Sequence, residues 1–205
     1  MKKIIIALYL FCMAGSVNAQ NLWTDSIKNL LASAKEDSTK LRLLSPLVTY
    51  YTYSIPDSAL TYAEKEISLS KKIKSDYASS FALRSYGGIL SEMGNYSQAI
   101  YFELEALKAA ERSGDPLSIG WCYAFLSSTY IDAGDYEHAL FYSHKEKSLA
   151  ESHHKLSRDN SKNDIYDLYN DAMFSSAIIY DKLNKPDSAL KNLQIVNQGN
   201  VQQYG

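Results

Sequence analysis

Apolar or small residues recur at i, i+3, i+4 and i+7 in four places along the chain. The sets are Leu43, Pro46, Leu47, Tyr50; Leu83, Tyr86, Gly87, Leu90; Tyr123, Leu126, Ser127, Tyr130; and Met173, Ser176, Ala177, Tyr180. This spacing is one face of a 3.6-residue helix. Each set is followed by a turn and a second helical stretch, so the predicted unit is helix, turn, helix. Asn95 or Ser97, Asp135, Asp57 and Asp187 stand where side-chain oxygens can cap the second helix of each unit. Pro46 removes one backbone donor and predicts a kink in the first of these helices.

The units are copies of one another. Gly94-Asn95-Tyr96-Ser97-Gln98-Ala99-Ile100 returns as Gly134-Asp135-Tyr136-Glu137-His138-Ala139-Leu140, and Pro56-Asp57-Ser58-Ala59-Leu60 returns letter for letter at 186–190. The small anchor residue is Ala59, Ala99, Ala139 and Ala189, spaced by 40, 40 and 50 residues. A fixed period of this size is the mark of a solenoid, in which stacking neighbours bury the apolar face that one unit cannot bury alone. Small residues at the anchors and at Gly87, Ser127 and Ala177 let paired helices approach closely.

These residues resemble the tetratricopeptide repeat (TPR) family. Leu83, Tyr86-Gly87, Leu90, Gly94-Asn95-Tyr96, Ala99 and Ala106-Leu107 carry the likeness in one unit, and Tyr123, Leu126, Tyr130, Gly134-Asp135-Tyr136 and Ala139 in the next. Glu146 stands where that family prefers a second Ala, and Ser54-Ile55-Pro56 and Asn184-Lys185-Pro186 replace the Gly-Asp-Tyr turn in the outer units. The resemblance implies an all-α, right-handed α-solenoid of antiparallel helix pairs, with four repeats at 40–75, 80–113, 118–153 and 165–197 inside an array spanning 38–197. It further implies a protein- or peptide-binding module whose inner wall carries Tyr51, Phe81, Arg84, Trp121, Phe174 and Lys182. Aromatic and Arg side chains suit such a groove, although ordinary packing between repeats accounts for the same residue types. The Lys and Asn set with which some family members clamp a C-terminal carboxylate is not recognisable.

The N-terminus reads as a secretory signal peptide over residues 1–19. It has Lys2-Lys3, an apolar run from Ile4 to about Gly15, and Val17-Asn18-Ala19 before a cut ahead of Gln20. Phe11, bulky ahead of Cys12, argues against a lipoprotein signal. Residues 20–37 predict an amphipathic N-terminal capping helix through Leu22, Trp23, Ile27, Leu30, Leu31 and Ala34, and the 198–205 tail shows no helical pattern. The polar run from His153 to Asp164, where the period lengthens, reads as a helix end and a solvated loop, or as a projecting contact surface.

Losing Lys2 and Lys3 from 21 basic residues leaves 19 against 23 acidic ones, a formal charge of −4. That balance, with export, argues against nucleic acid as a partner. No membrane span is expected in the mature chain. Once Cys12 is removed only Cys122 remains, so no internal disulfide can form. The histidines at 138, 144, 153 and 154 lack the i, i+3 or i, i+4 spacing that helical chelation needs, and no phosphate loop, nucleophile elbow or His-Glu-x-x-His element occurs. The expectation is therefore no enzyme, no metal and no cofactor. Asp25-Ser26-Ile27, Asp57-Ser58-Ala59 and Asp187-Ser188-Ala189 resemble O-glycan acceptors of exported Bacteroidota proteins, though capping explains the same letters.

The run from Pro56 to Lys65, after Asp37-Ser38-Thr39 and a Leu-rich helix, resembles the start of periplasmic TPR regions in Bacteroidota histidine kinases and transcriptional regulators. It implies the sensor portion of a signalling protein; the alternative is a stand-alone periplasmic scaffold.

Overall fold

The computed structural model describes residues 22–154 and 162–204, and every regular element among them is helical. The signal peptide expected at 1–19 and most of the 153–164 run lie outside the described residues. The elements are α1 (22–33), α2 (Asp37–Thr52), α3 (Pro56–Lys72), α4 (Asp76–Glu92), α5 (Tyr96–Ser113), α6 (Pro116–Asp132), α7 (Tyr136–His154), α8 (Lys162–Lys182) and α9 (Pro186–Tyr204). α9 carries on through Tyr204, so the tail expected to be irregular from 198 continues a helix. Once Asn197 extends the ladder, each further residue adds a backbone hydrogen bond, and its apolar content matters little. Among the described residues no helix is long and apolar enough to cross a membrane.

The chain falls into two compact units that meet inside α3, one ending at Leu69 and the other beginning at Ser70. In the first unit the core is Leu44, Leu47, Val48, Ala59 and Ala63, all buried. A run of rings lies beside it: Trp23 on Tyr50 at 5.8 Å, Tyr50 edge-on to Tyr51 at 5.1 Å, and Tyr51 stacked on Tyr62 at 5.5 Å. α2 runs unbroken past Pro46, its neighbours Leu44 and Leu47 almost wholly buried. Burying two leucines stabilises by roughly 3–6 kcal/mol, which is enough to outweigh the cost of a proline inside a helix, about 3 kcal/mol.

In the second unit each helix packs on the next, and α6 also packs on both α4 and α8. The small residues are the points of closest approach. A β-carbon on Gly87 would stand 2.7 Å from Glu103 Cγ and 3.1 Å from the Ala99 carbonyl oxygen, so α4 and α5 can meet this closely only with glycine there. At the equivalent place between α6 and α7, the buried Ser127 hydroxyl donates to the Ala139 carbonyl at 3.0 Å.

The turns repeat as well. Gly94, Gly134 and Asn184 take left-handed backbone angles after α4, α6 and α8 (φ 77°, 79° and 57°). In each case the next residue's N–H reaches back five residues: Asn95 to Leu90, Asp135 to Tyr130 and Lys185 to Tyr180, at 2.8–2.9 Å. This is the hydrogen bond of a Schellman close. Asn tolerates the left-handed well, which is why Asn184 replaces glycine without changing the turn. Ser54, at the matching place after α2, does not adopt it, and the Ile55 N–H bonds the Tyr51 carbonyl instead, at 2.8 Å.

Capping differs from expectation. Asp135 accepts the His138 N–H at 3.2 Å, but Asn95 makes no side-chain cap, and Asp57 and Asp187 lie inside the first turns of α3 and α9. There they favour the helix through its dipole. The caps that open α4 and α6 are Ser75, accepting from the Ala78 N–H at 3.2 Å, and Asp115, accepting from the Ser118 N–H at 2.8 Å.

Candidate protein-binding site

The residues expected on an inner wall differ in their surroundings. Tyr51 is buried within the first unit, where it stacks on Tyr62 and has the Lys28 ammonium 5.6 Å over its ring. Trp121 is partly buried and packs with Leu117 and Tyr169 against Ala150 and Leu168. On α8, Phe174 is half exposed and Lys182 is exposed.

Phe81 and Arg84 do come together. They lie three residues apart on α4, and the guanidinium sits 5.4 Å from the Phe81 ring centroid. A third member, Phe125 of α6, lies 4.7 Å from the same guanidinium. Gly88 makes that approach possible, because a β-carbon there would stand 2.8 Å from Phe125 Cε1. Arg84 is thus a cation held between two aromatic faces.

Its electrostatics are unusual. Nε is buried without a hydrogen-bond partner, and the side chain makes no hydrogen bond or ion pair among the described residues. Burial lowers the guanidinium pKa, against opposing effects of Cys122, Tyr77 and Glu103. Glu103 does not supply the missing charge. Burial pushes its carboxyl up to about 8, over the contrary effects of the Thr129 hydroxyl and Arg84, so it is largely neutral at pH 7. A half-buried cation with no anion beside it is costly in the free protein, and an arriving carboxylate relieves that cost.

Behind the cage, polar side chains fasten α4 to α6. The Ser118 hydroxyl donates to Ser80 Oγ at 3.0 Å, and Ser80 Oγ lies 3.4 Å from Cys122 Sγ. Burial raises the Cys122 thiol pKa, so this sulfur is a packed thiol with little thiolate character. Two histidines serve local structure: His138 Nδ1 lies 2.8 Å from Asp135 and its ring stacks on Tyr130, while His153 Nδ1 bonds the Leu149 carbonyl at 3.0 Å. Among the described residues no group of three His, Cys, Asp or Glu side chains is placed to hold a metal ion.

Phe125 escaped sequence reasoning because it lies forty-one residues from Arg84 and on another repeat. The buried glutamates Glu66, Glu103 and Glu146 escaped because a charged letter on a helix ordinarily marks a solvated face. Glu146 did carry a signal, since it replaced an expected Ala.

Three solved structures share this architecture. BtubC (BKLC) from P. vanneervenii is similar at a TM-score of 0.70 and 13% identity, over 92% of this chain and 74% of that one. A Rap protein complexed with competence and sporulation factor aligns at 0.72 and 18%, over 91% of this chain and 51% of that one. The apo form of RapI aligns at 0.57 and 12%, over 93% and 78%. At these identities the likeness shows the fold alone. No curated protein matches the chain.

Helix pairs, repeating turns and these neighbours define an all-α helical-repeat protein of the tetratricopeptide type. More narrowly, residues 23–139 match the SusR N-terminal TPR domain, and the chain belongs to that family. A TPR domain is a protein-interaction module.

Proposed function

We propose that this protein is an exported, non-enzymatic interaction module that forms the ligand-binding sensor portion of a bacterial signalling protein. Its binding surface is the face of α4 and α6 around Arg84, with Phe81 and Phe125 as walls, and its ligand is a protein or peptide that brings a carboxylate. The observation that carries this reading is the unneutralised guanidinium between two rings. Aromatic and Arg anchors of this kind supply most of the energy of protein interfaces. Export is supported by the signal-peptide pattern of residues 1–19. The signalling role is supported by membership of the SusR N-terminal TPR family. A Rap protein of the same fold was solved in complex with a factor, so the architecture can hold a ligand.

The test is capture from envelope extract, identification of the captured protein by mass, and titration of that partner against wild type, Arg84→Ala and Phe125→Ala, with helicity checked by circular dichroism. Loss of an interfacial hot spot costs about 2 kcal/mol or more, or roughly thirtyfold in Kd. A partner that binds Arg84→Ala as tightly as wild type sinks the assignment.

A further inference from the structure

A cavity of about 520 Å³ opens where the end of α3 meets α4 and α5, formed wholly by residues of the second unit. It is separate from the Arg84 cage and shares no residue with it. One wall is apolar, made by Leu83, Tyr101 and Phe102. The polar part of the lining includes Ser75, Ser79, Lys71 and Lys74.

The charges around this cavity are not balanced. Arg112 is taken by Asp76 at 2.8 Å, and Glu105 is taken by Lys108 at 2.7 Å. Neither the Lys71 nor the Lys74 ammonium has a partner among the described residues. Two cations therefore face a space whose acids are already engaged.

The repeat itself supplies an internal comparison. Forty residues on, Lys71, Lys74 and Ser79 correspond to Glu111, Gly114 and Ile119. The next repeat thus keeps the helices and turn without the lysines. Lys74 is also costly to keep: its backbone is left-handed (φ 53°), in the turn where the next repeat has Gly114 (φ 70°). A β-carbon in that well is strained, and strain of this kind is commonly retained where a side chain has work beyond folding.

We propose that this cavity binds a small organic anion, its apolar body against Tyr101, Phe102 and Leu83 and its acidic head between Lys71 and Lys74. The volume falls within the roughly 300–1,000 Å³ typical of small-molecule sites.

The probe is 8-anilinonaphthalene-1-sulfonate, an aromatic anion, with N-phenyl-1-naphthylamine as its uncharged counterpart. The full chain is titrated as wild type, as the Lys71→Glu, Lys74→Gly double variant that installs the next repeat's residues, and as Lys191→Glu, which shifts charge on α9. The expected result is saturable binding at one site per chain, weakened at least tenfold in the double variant and unchanged in Lys191→Glu. The uncharged probe should bind wild type at least tenfold more weakly. Thermal melting separates binding from folding, because Lys74→Gly relieves strain and the double variant should melt no lower than wild type. Absence of saturable binding, equal binding by the double variant, equal affinity for the uncharged probe, or equal weakening by Lys191→Glu overturns the proposal.

Discussion

The Thr129 hydroxyl of α6 donates to Glu103 Oε1 of α5 at 2.9 Å, inside the second unit, while Glu103 Oε2 has no partner. A carboxylate so placed would leave half its charge unanswered, whereas a carboxylic acid fits. The folded pKa of about 8 lies above the ordinary 4.5, so the folded state keeps a proton that the unfolded chain releases. Stability from this group is complete below about 4.5 and is lost as pH rises toward about 8. Glu103→Gln should raise stability at pH 7 by on the order of 2 kcal/mol and flatten its decline between pH 5 and 8. Urea unfolding at several pH values checks this, and an unchanged slope counts against it.

Glu146 repeats the theme between α7 and α8. Burial pushes it up to about 10, with Asp171 close by adding to the shift, and Asp171 is itself raised by burial. The folded pair retains a proton well into the alkaline range while the unfolded chain releases it above about 4.5, so stability falls progressively from about 4.5 toward about 10. Glu146→Gln should melt several degrees higher than wild type at pH 9.5 and differ little at pH 4. Equal melting at pH 9.5 would show that the site relaxes or admits water.

Gly87→Ala places a β-carbon against Glu103 Cγ and against the backbone oxygen of Ala99. A backbone atom cannot rotate aside, so α4 and α5 must separate. The expected cost is about 1–3 kcal/mol, read as a lower urea midpoint. Gly94→Ala meets no atom within 4 Å, and its cost, about 1 kcal/mol, comes from the left-handed backbone alone.

Asp115→Ala should cost about 1 kcal/mol, because Asp115 accepts the Ser118 N–H at the start of α6. Asn95→Ala should cost clearly less, since Asn95 makes no side-chain cap. Reversal of that order in thermal melts would refute the capping assignments.

Part of this protein was legible without coordinates. Periodic apolar faces and the recurrent Ala59, Ala99, Ala139 and Ala189 determined helix pairs and their order, because both are local and each helix carries its own pattern. The Gly94 and Gly134 turns were equally plain, since a left-handed close favours glycine. What the sequence could not determine depends on pairs distant along the chain. The second wall of the Arg84 cage comes from Phe125, and Glu103 becomes neutral only because α4 and α6 remove water from it. Nor did the letters separate Trp121, committed to packing, from Arg84, left without a counter-charge. Burial and charge pairing are properties of the packed helices, and only the tertiary structure decides which side chains keep a valence for a partner.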